Sequence, residues 1–261
     1  MFAAAWQYRA FLSQAIIRDL RLRVIGSRLG VAWLILQPLA QVALFAVVLS
    51  GVMASRLPGV DSRFGYTIYL CAGMAAWSLF IETITRGTNL FVENGQLIKK
   101  MAFRRSILPL VMGGTALLTN VVLVLVILVM VACLGHPLGW VVMWLPLLML
   151  LTLGLGVGLG VLLGVVQVFI RDVGHLLGIS LQFLFWATPI AYLPSVLPEA
   201  LRPWLWFNPL AHLVGAYQDV LVHGTSPAMS TILGLTLCML VIGLASLFVY
   251  RRGGPDMVDV L

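Results

Sequence analysis

Six stretches of this chain are too long and too apolar for a protein surrounded by water: Val31 to Val52, Tyr66 to Ile84, Ile107 to Leu134, Val141 to Phe169, Leu176 to Leu193 and Met229 to Tyr250. A hydrocarbon core about 30 Å thick takes about 20 consecutive apolar residues to cross as a helix. Inside it each backbone N–H and C=O must be bonded within the protein, which leaves the α-helix as the form such runs can take. Composition agrees. Of 261 residues 61% are hydrophobic and 10% charged, the mean hydropathy is +1.06, and a soluble domain carries about 25% charged residues. The chain therefore predicts one all-α integral membrane domain over residues 31–261, with six transmembrane helices and both termini on the same side. The third and fourth runs exceed the core thickness and are expected to tilt or project.

The basic residues set the orientation. With the termini in the cytoplasm, Arg9, Arg18, Arg21, Arg23, Arg28, Arg86, Lys99, Lys100, Arg104, Arg105, Arg171, Arg251 and Arg252 fall inside. Only Arg56, Arg63 and Arg202 of the sixteen Lys and Arg residues fall outside. The positive-inside rule makes that arrangement the expected one. The same distribution accounts for the net charge of +7 without nucleic acid, because the cations flank apolar runs rather than forming a basic soluble module.

Two segments are not spans. In residues 1–30, Leu12, Ile16 and Leu20 make one stripe while Gln14, Arg18 and Arg21 make another, which predicts a helix lying at the cytoplasmic surface; Asp19 and Arg23 blur the pattern. Its arginines interrupt the apolar core that a cleavable signal requires. Between Pro194 and Pro227 the chain is too polar to span and too rich in Leu, Trp and Phe for a free loop. Pro198 and Glu199 are expected to open a short helix ending near Trp206. Asn208 suits an N-cap, Pro209 the first helical turn and Gly224 a helix stop. Together they predict a re-entrant pair of short periplasmic gate helices over residues 195–224, before the last span.

Chemistry of other kinds is missing. Cys71, Cys133 and Cys238 are far apart and suggest neither metal nor disulfide. The four histidines have no partners at ligand spacing, and H-E-x-x-H, G-x-S-x-G and the G-x-x-x-x-G-K-[ST] phosphate loop do not occur. No catalytic residue, metal site or cofactor is expected in this chain, and an ATP-driven process would need its ATPase on another polypeptide. Only Glu82 resembles an ion-coupling carboxylate, and Arg86, four residues on, offers it an ion pair.

Three segments carry a family likeness: SRLGVAWLILQPLAQ (Ser27 to Gln41), VENGQLIKKMAFRRSILPL (Val92 to Leu110), and the long stretch from Arg171 to Gly224 that holds FLFWATPIAYLP and WFNPLAHL. Together they resemble the ABC-2 type permease subunits of polysaccharide exporters, which move O-antigen, capsule or teichoic-acid polymers. Phe103, Arg104 and Arg105 stand where the family usually has Phe-Pro-Arg.

The resemblance implies a bacterial inner-membrane homodimer that clasps two copies of a separate ATPase, where ATP and Mg are bound, with a lipid-linked glycan passing between the two permease chains. It makes residues 93–105 the ATPase-coupling segment. Within it Leu97, Ile98, Met101 and Phe103 offer an apolar anchor, and Glu93, Lys99, Lys100, Arg104 and Arg105 are charged. Arg23 and Arg28 become candidates for the lipid phosphate. Trp33, Trp77, Trp186, Tyr192, Trp204, Trp206, Phe207 and Tyr217 become candidates for tunnel and gate, since aromatic faces suit a sliding sugar chain. Asp172 is a candidate cap, beside Arg171 and His175. The glycines at Gly156, Gly160 and Gly164 suit close helix packing. Export of drugs or lipids on the same architecture is the rival reading, and a stand-alone ion-coupled carrier or membrane-embedded enzyme a more distant one.

Overall fold

In the computed structural model residues 9–24, 29–33, 35–40, 43–44, 64–100, 107–200, 202–254 and 257 are described. Every regular element among them is helical. Helix α1 is Arg9–Val24, α2 Gly65–Glu93, α3 Gly95–Lys100, α4 Ile107–Cys133, α5 Leu145–Phe169, α6 Val173–Trp186, α7 Pro209–Gln218 and α8 Met229–Gly253. A 3-10 turn, Trp140–Trp144, leads into α5. Four of these helices, α2, α4, α5 with its leading turn, and α8, are long and apolar enough to cross a bilayer. The run expected as the first span lies mostly outside the described residues; residues 35–40 and 43–44 are helical, with Pro38 buried.

α2 is the axis of the bundle, packed on α5, α4 and α7. The contact with α5 is the closest, and glycine makes it so. A Cβ on Gly87 would stand 2.7 Å from the Cα of Gly160, and a Cβ on Gly160 would stand 2.9 Å from the carbonyl oxygen of Thr83. A Cβ on Gly156 would collide with the Thr83 hydroxyl, and one on Gly164 would sit 2.5 Å from the Gly87 oxygen. The repeat at every fourth residue thus lays one bare stripe of α5 against α2, so that the two backbones touch. Thr83 and Thr88 return their hydroxyls to carbonyls one turn back, at 2.7 and 2.8 Å, so neither hydroxyl is stranded in the contact.

α2 outruns its expected span. Its 29 residues make a rod of about 43 Å at 1.5 Å per residue, so the turns that follow Ile84 extend beyond a core about 30 Å thick. α8 covers the lower part of α5, where Tyr250 stacks on Phe91 with ring centres 5.9 Å apart. The ends of α2, α5 and α8 near Glu93, Phe169 and Gly253, with the starts of α4 and α6, form the base of the bundle.

The fifth span is where the fold departs most from expectation. The apolar run suggests a helix to Leu193, but α6 ends at Trp186 after 14 residues, about 21 Å of helix. Pro189 is the cause: it has no N–H to give, and its ring pushes Thr188 away from helical torsion angles. The next segment differs too. Instead of a helix opening at Pro198 and Glu199, there are two 3-10 turns, Pro194–Val196 and Arg202–Phe207. Arg202 folds back on them, its Nε and Nη2 donating to the carbonyls of Leu197 and Ser195 at 3.1 and 3.0 Å. α7 starts as expected, with the Asn208 side chain accepting from the Leu210 N–H at 3.0 Å and Pro209 in the first turn. It runs on through a π-helical turn, Asp219–His223, and stops at Gly224 in the left-handed region at φ +62°, a conformation glycine adopts without steric cost.

Candidate functional site

Two places in the bundle gather polar groups that an apolar fold does not need for its own sake. The first joins α1 to α2. The Nη2 of Arg23 donates to the Oε1 of Glu82 at 2.6 Å, and the Nη2 of Arg86 donates to the Oδ2 of Asp19 at 2.8 Å. Each helix also pairs its own members more loosely, Arg86 with Glu82 at 3.7 Å and Arg23 with Asp19 at 3.9 Å. The expected Glu82–Arg86 pair is therefore one side of a four-membered square. Asp19 and Arg23 spoil the amphipathic pattern of α1 because they turn towards another helix: Leu12, Ile16 and Leu20 are half-buried while Gln14, Arg18 and Arg21 stay exposed. Two acids and two bases cancel, so the junction holds the helices together without leaving net charge beside the apolar core.

The second place is the break after α6. A non-helical stretch between apolar helices must have its carbonyls bonded by protein, and side chains from α2, from α7 and from the break itself do so. Tyr192 donates its hydroxyl to the Trp186 carbonyl at 2.8 Å, and Asn208 donates its Nδ2 to the Ala187 carbonyl at 3.2 Å. Tyr69 reaches the carbonyls of Pro189 and Tyr192 at 3.1 and 3.0 Å, and Gln218 also donates to Pro189, at 3.1 Å. Tyr66 donates to the Ala191 carbonyl at 2.6 Å. The break is thereby fastened to the first turns of α2 and to both ends of α7. The tyrosines of α2 and Gln218 were not singled out in the sequence; the signal available was three hydroxyl- or amide-bearing side chains set in otherwise apolar turns.

The aromatic candidates divide into two groups. Tyr217 is fully buried, with its hydroxyl 3.3 Å from that of Thr152. Trp77 is 6% exposed and meets Phe185 edge-on at 5.3 Å. Both are core residues of the single chain, and as placed neither offers a face to anything passing outside it. Trp33, Trp186, Trp204, Trp206 and Phe207 are exposed, Phe207 by 83%, and Phe183 joins them at the end of α6. Tyr192 is half-buried beneath them. The outer surface around the break and the 3-10 turn therefore carries the exposed rings of Trp186, Trp204, Trp206 and Phe207, with His212 held edge-on to Trp206 and bonded to its carbonyl at 3.2 Å.

At the base, α2 ends at Glu93, which is exposed, and Asn94 closes it by donating its Nδ2 to the Leu90 carbonyl at 2.8 Å. The chain then turns at once into α3, whose six residues include Leu97, Ile98, Lys99 and Lys100; Lys99 is exposed. The side chains of Leu97, Ile98 and Lys100 and the whole of Met101, Phe103, Arg104 and Arg105 lie outside the described residues, as does Arg28. Arg171, Asp172 and His175 are exposed at the turn between α5 and α6. Asp172 occupies the N-cap position, but its backbone is helical there and its side chain makes no capping bond, so the cap expected from the sequence is not formed.

Known proteins are similar to this chain in sequence. Two O-antigen export system permease proteins RfbA of Klebsiella pneumoniae are 28% and 26% identical to the chain over 211 and 210 residues, covering 80% and 79% of it and 78% of each relative. RfbA of Myxococcus xanthus is 26% identical over 251 residues, 95% of this chain and 94% of its own length. The sequence pattern of the ABC-2 type transporter matches residues 12–222, from α1 through the α2–α5 crossing and the break to the π turn after α7, and the chain belongs to that family.

Proposed function

We propose that the chain is the membrane half of an ATP-driven exporter that carries a lipid-linked polysaccharide, O-antigen before other polymers, outward across the bacterial inner membrane. The observation that carries this reading is the likeness, over 79% to 95% of the chain, to three permeases named for O-antigen export. On this reading ATP and Mg are bound by a separate ATPase chain, two copies of which serve two copies of the permease; that this chain's sequence has no phosphate-binding loop supports it. On this reading the base of the bundle faces the cytoplasm, which the distribution of Lys and Arg supports.

On this reading the break and α7 are the re-entrant gate. Their carbonyls are bonded to α2 and α7, so the segment keeps its shape without a lipid-exposed backbone. The exposed rings of Trp186, Trp204, Trp206 and Phe207 form the aromatic surface that meets polymer or the second copy, and Trp33, at the start of the first apolar run, serves the tunnel at its cytoplasmic end. Trp77 and Tyr217 support that wall from behind. Residues 93–105 couple to the ATPase: α3 follows α2 directly at Asn94, so a push on Lys99 is transmitted to the rod that carries Glu82 and the α5 crossing. Arg23 is engaged with Glu82, which leaves Arg28, with the exposed Arg18 and Arg21, to meet the glycan's lipid phosphate.

Deleting the gene tests the reading. Surface polysaccharide is expected to disappear, with lipid-linked polymer accumulating in the cytoplasmic leaflet and export restored by the wild-type gene. Unchanged surface polysaccharide with no such accumulation overturns the cargo. ATP hydrolysis by the purified complex that responds to hydrophobic drugs and ignores glycan favours drug or lipid export instead.

A further inference from the structure

Away from the break and the charged square, an apolar groove of about 520 Å³ runs between α4, α5 and α8. Gly113, Gly154, Gly158 and Gly243 form much of its surface, and Ser246 and Tyr250 are its polar side chains. Three of those glycines are backed by side chains: a Cβ would meet Val157 at Gly113, Met239 at Gly154 and Ile242 at Gly158. At Gly243 a Cβ meets nothing within 4 Å, so that position opens onto free space.

The dimensions limit what fits. On α5 the lining runs from Leu150 to Val161, about 16 Å of helix, which is close to half of a hydrocarbon core about 30 Å thick. The volume divided by that length gives a cross-section of roughly 30 Å², wide enough to seat one hydrocarbon chain.

Charge at the mouth selects the head group. Tyr250 ends the lining on α8, and Arg251 follows it about 100° further round the helix, with Arg252 next. Both arginines are exposed, and among the described residues neither enters an ion pair. Their stems can lie along apolar surface while the guanidinium reaches phosphate. At Gly114 the groove is bordered by Ile16 of α1, the helix whose exposed face carries Arg18 and Arg21. Helix-dipole and topological effects account for arginines at this helix end, but neither accounts for an apolar groove of one-leaflet length ending beside them.

We infer that this groove is a binding site for one inner-leaflet anionic phospholipid, with an acyl chain lying over Gly243 and the phosphate held by Arg251. The site is separate from the polymer path and does not depend on which cargo is moved.

The full-length protein, purified in detergent and stripped of loosely held lipid, is titrated with phosphatidylglycerol and with phosphatidylcholine, and bound lipid is counted by native mass spectrometry. Wild type is expected to retain one phosphatidylglycerol per chain. Gly243→Phe fills the groove and loses the retained lipid, while Gly234→Phe, on the same helix and also facing open space, keeps it. Arg251→Ala still holds a chain but loses about fivefold of its preference for the anionic lipid, the worth of one arginine near a charged membrane surface. If Gly243→Phe does not purify as a helical, monodisperse protein, Gly243→Leu is used in its place. Equal retention of the two lipids by wild type, which would mean annular lipid only, or undiminished retention by the groove-filling variant, overturns the assignment.

Discussion

Arg23 of α1 donates to Glu82 of α2 at 2.6 Å, and through that bond the N-terminal helix is attached to the central rod of the bundle. Because Arg86 still lies 3.7 Å from Glu82, Arg23→Ala alone is expected to cost less than about 1 kcal/mol, as for a partly exposed pair. Arg23→Ala combined with Arg86→Ala strips both partners from Glu82 and from Asp19, and the loss is expected to exceed the sum of the singles by about 1 kcal/mol or more. Thermal unfolding of the four proteins of the cycle measures this. Simple additivity would mean that the square is not a unit.

Tyr69 serves two carbonyls of the break with one hydroxyl. Tyr69→Phe keeps the ring packing and removes both bonds, leaving the Tyr192 carbonyl without that donor while Gln218 still reaches Pro189. A loss of about 1 to 3 kcal/mol is expected, together with reduced polymer export. Asn208→Ala removes an N-cap and the donor to Ala187, and should fall in the same range. Chemical denaturation in detergent, paired with an export assay, checks both.

The α2–α5 crossing has no room for a side chain. Gly87→Val is expected to separate the helices and to abolish accumulation of folded protein, since the added atoms meet backbone rather than a movable side chain. Gly215→Ala on α7 meets nothing within 4 Å and is expected to fold and export normally. Yield and monodispersity in gel filtration distinguish the two.

Cysteine labelling tests the orientation. Cys133 is exposed at the end of α4 opposite the base, while Cys71 is 1% exposed inside α2. A membrane-impermeant maleimide added to intact spheroplasts is expected to label the protein, and Cys133→Ser should abolish that signal. Labelling that appears only after the membrane is opened would reverse the topology.

Coupling through α3 is tested at Lys99, which is exposed. Lys99→Glu should leave the amount of protein in the membrane unchanged and reduce export by about tenfold, as for loss of a contact worth about 1.4 kcal/mol. An unchanged export rate would argue that the segment only sets topology.

Much of this fold is legible in the residues because membrane solvation acts on composition. Wherever twenty apolar residues run together a helix must form, and α4, α5 and α8 lie close to where their apolar runs placed them. Local chemistry was equally readable at Asn208, Pro209 and Gly224, whose roles depend on nearest neighbours alone. Expectation failed at Asp172, where the cap position is occupied without a capping bond, and at α6, where Pro189 ends a helix that hydropathy carried on to Leu193. Hydropathy registers the apolar character of proline's neighbours but not its missing N–H.

The chain alone thus determined that it lives in lipid and where its long helices lie, because each of these is a cost paid residue by residue against water or hydrocarbon. Only the tertiary structure decided that Asp19 and Arg23 belong with Glu82 and Arg86, that Tyr69 bonds the break after α6, and that Trp77 and Tyr217 are buried while Trp206 and Phe207 are bare. Those outcomes depend on which helix faces which. Side chains 59 or 120 residues apart meet only once the glycine stripe of α5 has closed on α2 and brought the rest of the bundle around it.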